Sequence, residues 1–444
     1  MVNMISQTGI REDSHRSREM DDPLSSLSSQ LMQATMVRYY HRLINDFPNL
    51  HMKDLTQQQS GQGRQICLEG RWVTNFGSDS FLGLDKHPAV LEALERGVRK
   101  WGSHNGCSRA FSSVEANEIA EERLASWLKA PSALIYPSVT LTNLGALPAL
   151  LTRHDALVVD QYAHNCIQQG AKIAKAQGIQ TAIFSHNDPD SLELTLAKFR
   201  PYRHAIIAID GVYSMSGLLP PLVEFQRIAR ENRAVLYVDD AHGTGVLGER
   251  GRGTVLDALG NYDNTLVVGS LSKGLSCFGG FIACNPEIKF ALKVRSGPMV
   301  FGGPVPPPYL EAICAVMDIM ESDEGLGLLS TLHENMRLFN RLSQEAGLSP
   351  KGGIGAIASI PIGDETSTLT AGKILFERGF YVQSVIFPAV PHHQGILRVQ
   401  INANHTQREI RQLVEALGEV VAEVCATVEC APSDSGQSAE ATSI

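Results

Sequence analysis

Short apolar runs alternate with helical patterns along most of this chain, and this alternation limits the possible folds more than any other feature. The stretches between the runs, such as residues 114–130 and 220–233, have apolar residues at helical spacing. Strands that alternate with helices predict parallel βαβ units and an α/β fold with a doubly wound sheet. The runs that we interpret as buried strands are SALIYPS, DALVVDQ, TAIFSH, HAIIAIDG, AVLYVDDAHG, TLVVGS and GGFIAC.

Polar side chains follow at least five of these predicted strands directly. Ligands bind at the carboxyl ends of the strands in a doubly wound sheet. A single aspartate at such a position is most often a helix N-cap, but capping does not easily explain five chemically distinct clusters. We therefore expect a ligand site at this edge of the sheet. The clusters contain Ser138, Thr140 and Asn143; Asp160 and His164; Asp210 and Ser214; Asp239, Asp240 and His242; and Ser270 and Lys273.

The lysine in the stretch TLVVGSLSKGLSCFGG has small and apolar neighbours. Taken alone, Lys273 is most simply an exposed loop residue, but the set of strand ends fits pyridoxal phosphate. That cofactor needs a lysine for its Schiff base and a carboxylate opposite its pyridinium nitrogen, and Lys273 and Asp239 supply this pair. The amides of Val139 and Thr140 at a helix N-terminus would hold the phosphate, and Ser270 would add a hydroxyl.

Five segments resemble, in the same order, the motifs of the α-oxoamine synthase family, a branch of the fold-type I pyridoxal phosphate enzymes. Any one segment would be a weak signal, whereas five in order are a specific one. The similarity runs from about residue 75 to about residue 405. The segments are NFGSDSFLGL, DGVYSMSG, VDDAHGTGVLGERGRG, GSLSKGL and GILRVQINANHT.

The resemblance also implies a domain organisation. We expect an N-terminal tail and arm, a large cofactor-binding domain with a mostly parallel doubly wound sheet, a smaller C-terminal α+β domain and a C-terminal tail. Residues 1–28 are polar and the last residues are rich in Ser, Ala and Gly, which is typical of disordered tails. The predicted ranges are 1–70, 71–315, 316–430 and 431–444.

The resemblance assigns roles to individual residues. His164 matches the histidine that stacks on the pyridine ring, Asp239 the partner of the ring nitrogen, and His242 the histidine near the phenolic oxygen. Ser214 matches a serine at the edge of the cofactor. Arg398 matches the arginine that binds the amino-acid carboxylate, for which a planar bidentate group is suited.

Three positions depart from the pattern of the family. Gly303 stands where many members have Ser or Thr, and Val139 replaces a common Gly in the phosphate turn. Asp79 stands where an asparagine usually meets the substrate carboxylate, and two carboxylates repel each other there. Either Asp79 turns away and pairs with a cation, leaving Arg398 to hold the carboxylate alone, or it faces the substrate and selects a different amino acid.

The resemblance implies a decarboxylative condensation of an amino acid with an acyl thioester, carried by coenzyme A or a carrier protein, to give an α-aminoketone. One alternative is another fold-type I activity such as an aminotransferase, although aminotransferases more often stack an aromatic ring on the cofactor than a histidine such as His164. Another is a non-catalytic partner subunit, which the presence of Lys273, Asp239 and His164 disfavours.

Composition limits the partners of the protein. The net charge of -9 argues against nucleic acid, because phosphate binding needs a basic surface. We find no apolar run long enough to span a membrane and no secretory signal. The eight cysteines form no CxxC pair, so we expect no metal site and a reduced, cytoplasmic protein. The family resemblance implies a homodimer with a shared active site, in which the segment SGPMVFGGPVPPPYL approaches the cofactor of the partner.

Overall fold

The computed structural model describes residues 22–46 and 55–429. These residues fall into two compact units, which are divided between Leu55 and Thr56. In the first unit, α1 (Pro23–Gln33) and α2 (Thr35–Asp46) follow each other directly, and the carboxylate of Asp22 caps α1. Residues 23–28, which the sequence predicts to be disordered, therefore lie in a helix. Residues 1–21 and 431–444 of the predicted tails lie outside the described residues.

The second unit contains the predicted alternation of strands and helices. Its strands are β1 (Gln57–Ser60), β2 (Gln65–Leu68), β3 (Arg71–Asn75), β4 (Ser132–Tyr136), β5 (Ala156–Asp160), β6 (Gln180–Phe184), β7 (Ala205–Asp210), β8 (Ala234–Asp239), β9 (Thr265–Ser270), β10 (Gly280–Cys284), β11 (Lys351–Gly352), β12 (Ile357–Gly363), β13 (Phe380–Tyr381), β14 (Gln383–Val385) and β15 (Gly395–Gln400). Its helices are α3 (Pro88–Trp101), α4 (Glu115–Leu128), α5 (Val139–Leu150), α6 (Asn165–Ala176), α7 (Pro189–Lys198), α8 (Leu222–Glu231), α9 (Thr254–Leu259), α10 (Pro286–Arg295), α11 (Gly297–Phe301), α12 (Pro307–Glu321), α13 (Asp323–Glu345), α14 (Glu365–Glu377) and α15 (Gln407–Glu429).

A seven-stranded sheet with the order β4-β10-β9-β8-β7-β5-β6 forms the centre of this unit. Strands β9, β8, β7, β5 and β6 pair in parallel, whereas β10 is antiparallel to both of its neighbours. Each of the predicted strands lies in this sheet, so the prediction of a mostly parallel doubly wound sheet is confirmed.

Apolar side chains cover both faces of this sheet. Alternate residues of β8 point to opposite sides, so that Leu236 and Val238 belong to one buried cluster and Tyr237 belongs to another. A strand that is buried on both faces needs apolar residues at every position, which explains the continuous apolar runs in the sequence. Polar residues are thereby confined to the strand ends, where the site lies.

The same unit contains two smaller sheets, with the orders β1-β2-β3-β13 and β11-β12-β15-β14. Strand β3, at the start of the predicted large domain, pairs in parallel with β13 from the C-terminal third of the chain. Strands β1 and β2, from the segment predicted as an N-terminal arm, extend the same sheet on the other side of β3. The second unit is not divided further, and a boundary near residue 315 stays a prediction. Within the two described ranges, no helix is long and apolar enough to cross a membrane.

Candidate active site

Lys273 lies in the loop that follows β9, three residues past the end of the strand. Its Nζ is 2.9 Å from Nε2 of the buried His242, which follows β8. Burial lowers the pKa of Lys273, although the carboxylates of Asp79 and Asp239 act in the opposite direction. Burial and the charge of Lys273 also lower the pKa of His242. The lysine is thus shifted toward the free amine, the form that reacts as a nucleophile or a base.

Asp239 ends β8 and is buried, and both of its carboxylate oxygens are bonded to protein donors. Asn143 Nδ2 donates to Oδ2 at 2.6 Å, and the amide of Ala241 donates to Oδ1 at 3.1 Å. The hydroxyl of Tyr237 donates to Asn143 Oδ1 at 2.8 Å and fixes the orientation of that amide. Asp239 is therefore held as a rigid carboxylate, which is what a pyridinium nitrogen requires opposite it.

Cys166 contacts the imidazole of His164 and fixes its position. The sequence did not predict a role for this cysteine. The imidazole Nδ1 of His164 lies 2.9 Å from Cys166 Sγ and accepts a hydrogen bond from the Cys166 amide at 3.2 Å. The same thiol lies 3.0 Å from Asn143 Nδ2 and 3.8 Å from Asp239 Oδ2. Burial raises the pKa of the Cys166 thiol, so it is protonated and links His164 to the Asp239 cluster. The only sequence signal was its position, two residues after His164.

We expect Cys166→Ala to weaken cofactor binding about tenfold, because the imidazole of His164 loses its side-chain anchor while its backbone contacts remain. Cys166→Ser keeps a donor and should restore most of the affinity. The measurement is cofactor release from the holoenzyme, followed by absorbance during dialysis, with Cys67→Ala, on β2, as the control. Equal release rates for wild type and Cys166→Ala would contradict a positioning role.

The phosphate turn predicted at Val139 and Thr140 lies at the N-terminus of α5. The Ser138 side chain caps this helix by accepting from the Leu141 amide at 3.1 Å, and the first two helical amides have no intrahelical acceptor. A Cβ built on Gly280 would lie 2.4 Å from Val139 N, so the backbone of β10 closes on this turn as only glycine allows. The first amides of this helix could therefore hold the phosphate that the sequence predicts there, one turn before Asn143 of the same helix.

Ser270 and Ser214 have local roles in the structure. The Ser270 hydroxyl accepts from the Ser272 amide at 3.1 Å and so shapes the loop that carries Lys273. Ser214 contributes its backbone carbonyl, which accepts from Arg398 Nε at 2.7 Å. That either hydroxyl binds a cofactor stays a prediction.

Gly303 has open space around it, so a larger residue would fit there.

Arg398 is buried on β15 and its guanidinium is already bonded to protein acceptors. Besides the carbonyl of Ser214, it contacts Gln383 Oε1 at 2.9 Å through Nη1 and Asp79 Oδ1 at 3.4 Å through Nη2. Asp79 therefore pairs with a cation, as one of the two sequence alternatives expected. That cation is Arg398 itself, however, so Arg398 is not left alone to hold a carboxylate.

Three other strand-end carboxylates have structural environments. Asp210 accepts from the His164 amide at 3.0 Å, and burial, followed by the charge of Asp239, raises its pKa well above the usual range. Asp240 is bound by the amide and hydroxyl of Thr254, and burial raises its pKa to about 7. Asp160 accepts from the Tyr162 amide of its own loop and from the Asn187 amide of the loop after β6, where His186 Nδ1 also contacts it. The candidate site therefore contains fewer residues than the polar strand ends that the sequence analysis identified.

These residues fit pyridoxal phosphate. The structure provides a half-buried lysine with a lowered pKa, a rigid buried carboxylate, a histidine fixed beside it and a helix N-terminus closed by a glycine contact. Among the described residues there is no group of three or more His, Cys, Asp or Glu side chains that could hold a metal ion. The lysine, the buried carboxylate and the helix N-terminus together fit an organic cofactor with a phosphate group.

Comparison with known proteins agrees with this arrangement. The family aminotransferase class I and II matches residues 71–417. An 8-amino-7-oxononanoate synthase from Geobacter sulfurreducens is 34% identical over 369 residues, which cover 83% of this chain and 94% of the relative. A protein of the same name from Maricaulis maris is 35% identical over 361 residues, covering 81% of this chain and 89% of the relative.

Solved structures show the same fold. A serine palmitoyltransferase from Sphingomonas wittichii superposes with a TM-score of 0.83 at 22% identity, over 91% of this chain and 99% of the other. An 8-amino-7-oxononanoate synthase from Francisella tularensis gives 0.67 at 23% identity, over 79% of this chain and 98% of the other. The chain therefore belongs to the aminotransferase class I and II family and, within it, to the α-oxoamine synthases.

Proposed function

We propose that this protein is a pyridoxal phosphate-dependent acyltransferase that condenses an amino acid with an acyl thioester, with loss of carbon dioxide, to give an α-aminoketone. The observation that carries the proposal is the contact of 2.9 Å between Lys273 Nζ and His242 Nε2, in the same site as the buried carboxylate of Asp239. The curated relatives at 34–35% identity are synthases of an amino-oxo acid, which favours condensation over a plain amino transfer.

In the overall reaction, the α-carbon of the amino acid exchanges its bond to the carboxylate carbon for a bond to the acyl carbon. The thioester sulfur leaves as a thiol after taking a proton, and the carboxylate leaves as carbon dioxide. One proton is consumed from solvent, because the thiolate takes up a proton while the α-carbon has as many hydrogens in the product as in the amino acid. Pyridoxal phosphate, when bound, supplies an electron sink that stabilises negative charge on the α-carbon.

Individual residues of this chain carry out proton transfer, hold the cofactor and bind the substrate. Lys273, with its lowered pKa, takes and returns the α-proton, and His242 beside it orients Nζ. Asp239 would place a negative charge opposite the ring nitrogen of the cofactor, and His164 would pack on the ring. Arg398 binds the amino-acid carboxylate and so fixes the direction of the bonds at the α-carbon.

The test is to supply amino acids and acyl thioesters to the holoenzyme and to measure free thiol, carbon dioxide and aminoketone. Equal yields of the three products would support condensation. Amino transfer to an oxo acid with no thiol release from any donor would support an aminotransferase instead. A purified protein that lacks the absorbance band of a lysine-bound cofactor would favour the third interpretation, a non-catalytic subunit.

We also propose a cytoplasmic homodimer with a shared active site. Two phenylalanines, Phe111 and Phe301, are each 88% exposed, and Phe301 lies in the segment expected to approach the partner. A single exposed aromatic side chain does not by itself mark an interface, but Phe301 also belongs to the segment that approaches the partner in the proposed dimer, whereas Phe290 lies outside that segment. We expect twice the chain mass by light scattering, and Phe301→Asp should shift the protein toward the monomer, with Phe290→Asp, 70% exposed on α10, as the control. A fully active monomer would contradict the shared site.

A further inference from the structure

In the sheet β11-β12-β15-β14, the neighbours of Arg398 hold its side chain in place. Arg398 and Gln400 are two residues apart on β15 and therefore point to the same face. Gln383 on β14 lies directly opposite Arg398 in the pairing register. Together with the carbonyl of Ser214, these neighbours leave the guanidinium little freedom to turn toward a new partner.

Asp79 reaches this face from a segment far away in the sequence and uses a single oxygen there. Its Oδ1 accepts from Gln400 Nε2 at 2.7 Å and from Arg398 Nη2 at 3.4 Å. Its side chain is 34% exposed, in contrast to the 4% of Arg398. The contact with Gln400 is the shorter of the two, and the contact with Arg398 is longer than an ordinary N–H···O hydrogen bond, so Asp79 is bound more weakly to Arg398 than to Gln400.

Asp79 is charged in this environment. Burial acts to raise its pKa, but the positive charges of Arg398 and then Lys273 outweigh burial, and the pKa of Asp79 lies below its usual value. An internal carboxylate therefore already compensates the cation that would attract a substrate carboxylate. A second carboxylate that bound to Arg398 would lie close to Asp79 and would be repelled by it, because like charges interact more strongly in a protein site than in bulk water.

We propose that Asp79 is a specificity-determining counter-ion of Arg398, which the carboxylate of a ligand must displace before it can bind. For the identity of that ligand as an amino acid, the proposal rests on the proposed function. The displacement of Asp79 from Arg398 does not depend on that identity and applies to any small carboxylate ligand. A site of this kind binds carboxylates more weakly than one with a neutral residue at position 79, and it discriminates against ligands that cannot move Asp79.

The test is calorimetric titration of the holoenzyme with propionate and, separately, with L-alanine. We expect Asp79→Asn to bind propionate about tenfold more tightly than wild type, equivalent to about 1.4 kcal/mol. Asp79→Ser removes the charge without adding an amide and should also tighten binding, which separates loss of repulsion from a new contact. Glu92→Gln, on the exposed side of α3, changes the net charge equally and should leave the affinity unchanged.

Unchanged or weaker propionate binding by both Asp79 variants would overturn the proposal. Propionate has no amino group and cannot be condensed, so this result does not depend on the proposed activity. Tighter propionate binding without thiol release from any pair of substrates would keep the counter-ion role and overturn the proposed function. Arg398→Met should abolish the difference between wild type and Asp79→Asn, because the site then lacks the cation for which the two carboxylates compete.

Discussion

Replacing Lys273 with alanine is expected to abolish both turnover and the absorbance band of the lysine-bound cofactor while leaving the fold intact. The side chain belongs to a loop, and its one hydrogen bond among the described residues is to His242. Its removal therefore leaves no buried ion pair broken, whereas the reaction loses the base at the α-carbon. A loss of at least about 10³-fold in rate is reasonable for a general base that also holds the cofactor.

The measurements are the visible spectrum, the rate of thiol release and the thermal unfolding midpoint. Lys172→Ala is the matched control, because Lys172 is exposed on α6 and belongs to no site described above. Only Lys273→Ala should lose the absorbance band, and both variants should unfold near the wild-type temperature. Turnover by Lys273→Ala within tenfold of wild type would show that another group takes the α-proton.

Asp239→Asn is expected to bind cofactor more weakly and to lose α-proton exchange by about 10²-fold or more, a typical effect of removing electrostatic stabilisation of charge. The amide cannot supply a negative charge opposite the ring nitrogen. It also disturbs the local bonds, because both oxygens of Asp239 accept from protein donors, Asn143 and Ala241. One of these donors would then face an NH₂ group.

Exchange of the α-proton into deuterated water, followed by NMR on the amino acid alone, isolates this step from acyl transfer. Asp263→Asn is the control, since Asp263 is exposed in the loop before β9. We expect its exchange rate to equal that of wild type. If Asp239→Asn kept a near-normal exchange rate, the role of Asp239 as partner of the ring nitrogen would be wrong.

The sequence by itself determined the central sheet and the edge at which chemistry occurs. Continuous apolar runs bounded by polar residues reflect burial on both sheet faces, a property of each strand that short-range patterns record. Because parallel strands point the same way, Asp239 and Asp210 necessarily end at one edge. What periodicity could not show was the antiparallel direction of β10, since direction depends on the path of the connecting loop rather than on the apolar pattern.

Only the tertiary structure decided which polar groups touch. Asn143 bonds Asp239 from 96 residues away, and Asp79 pairs with Arg398 across 319 residues. Local patterns carry no information about such pairs, because the distances depend on how separate elements pack. The sequence could mark Asp79 as a departure from its family, but the packing of the small sheet against the segment after β3 decided that its partner is the arginine expected to hold the substrate.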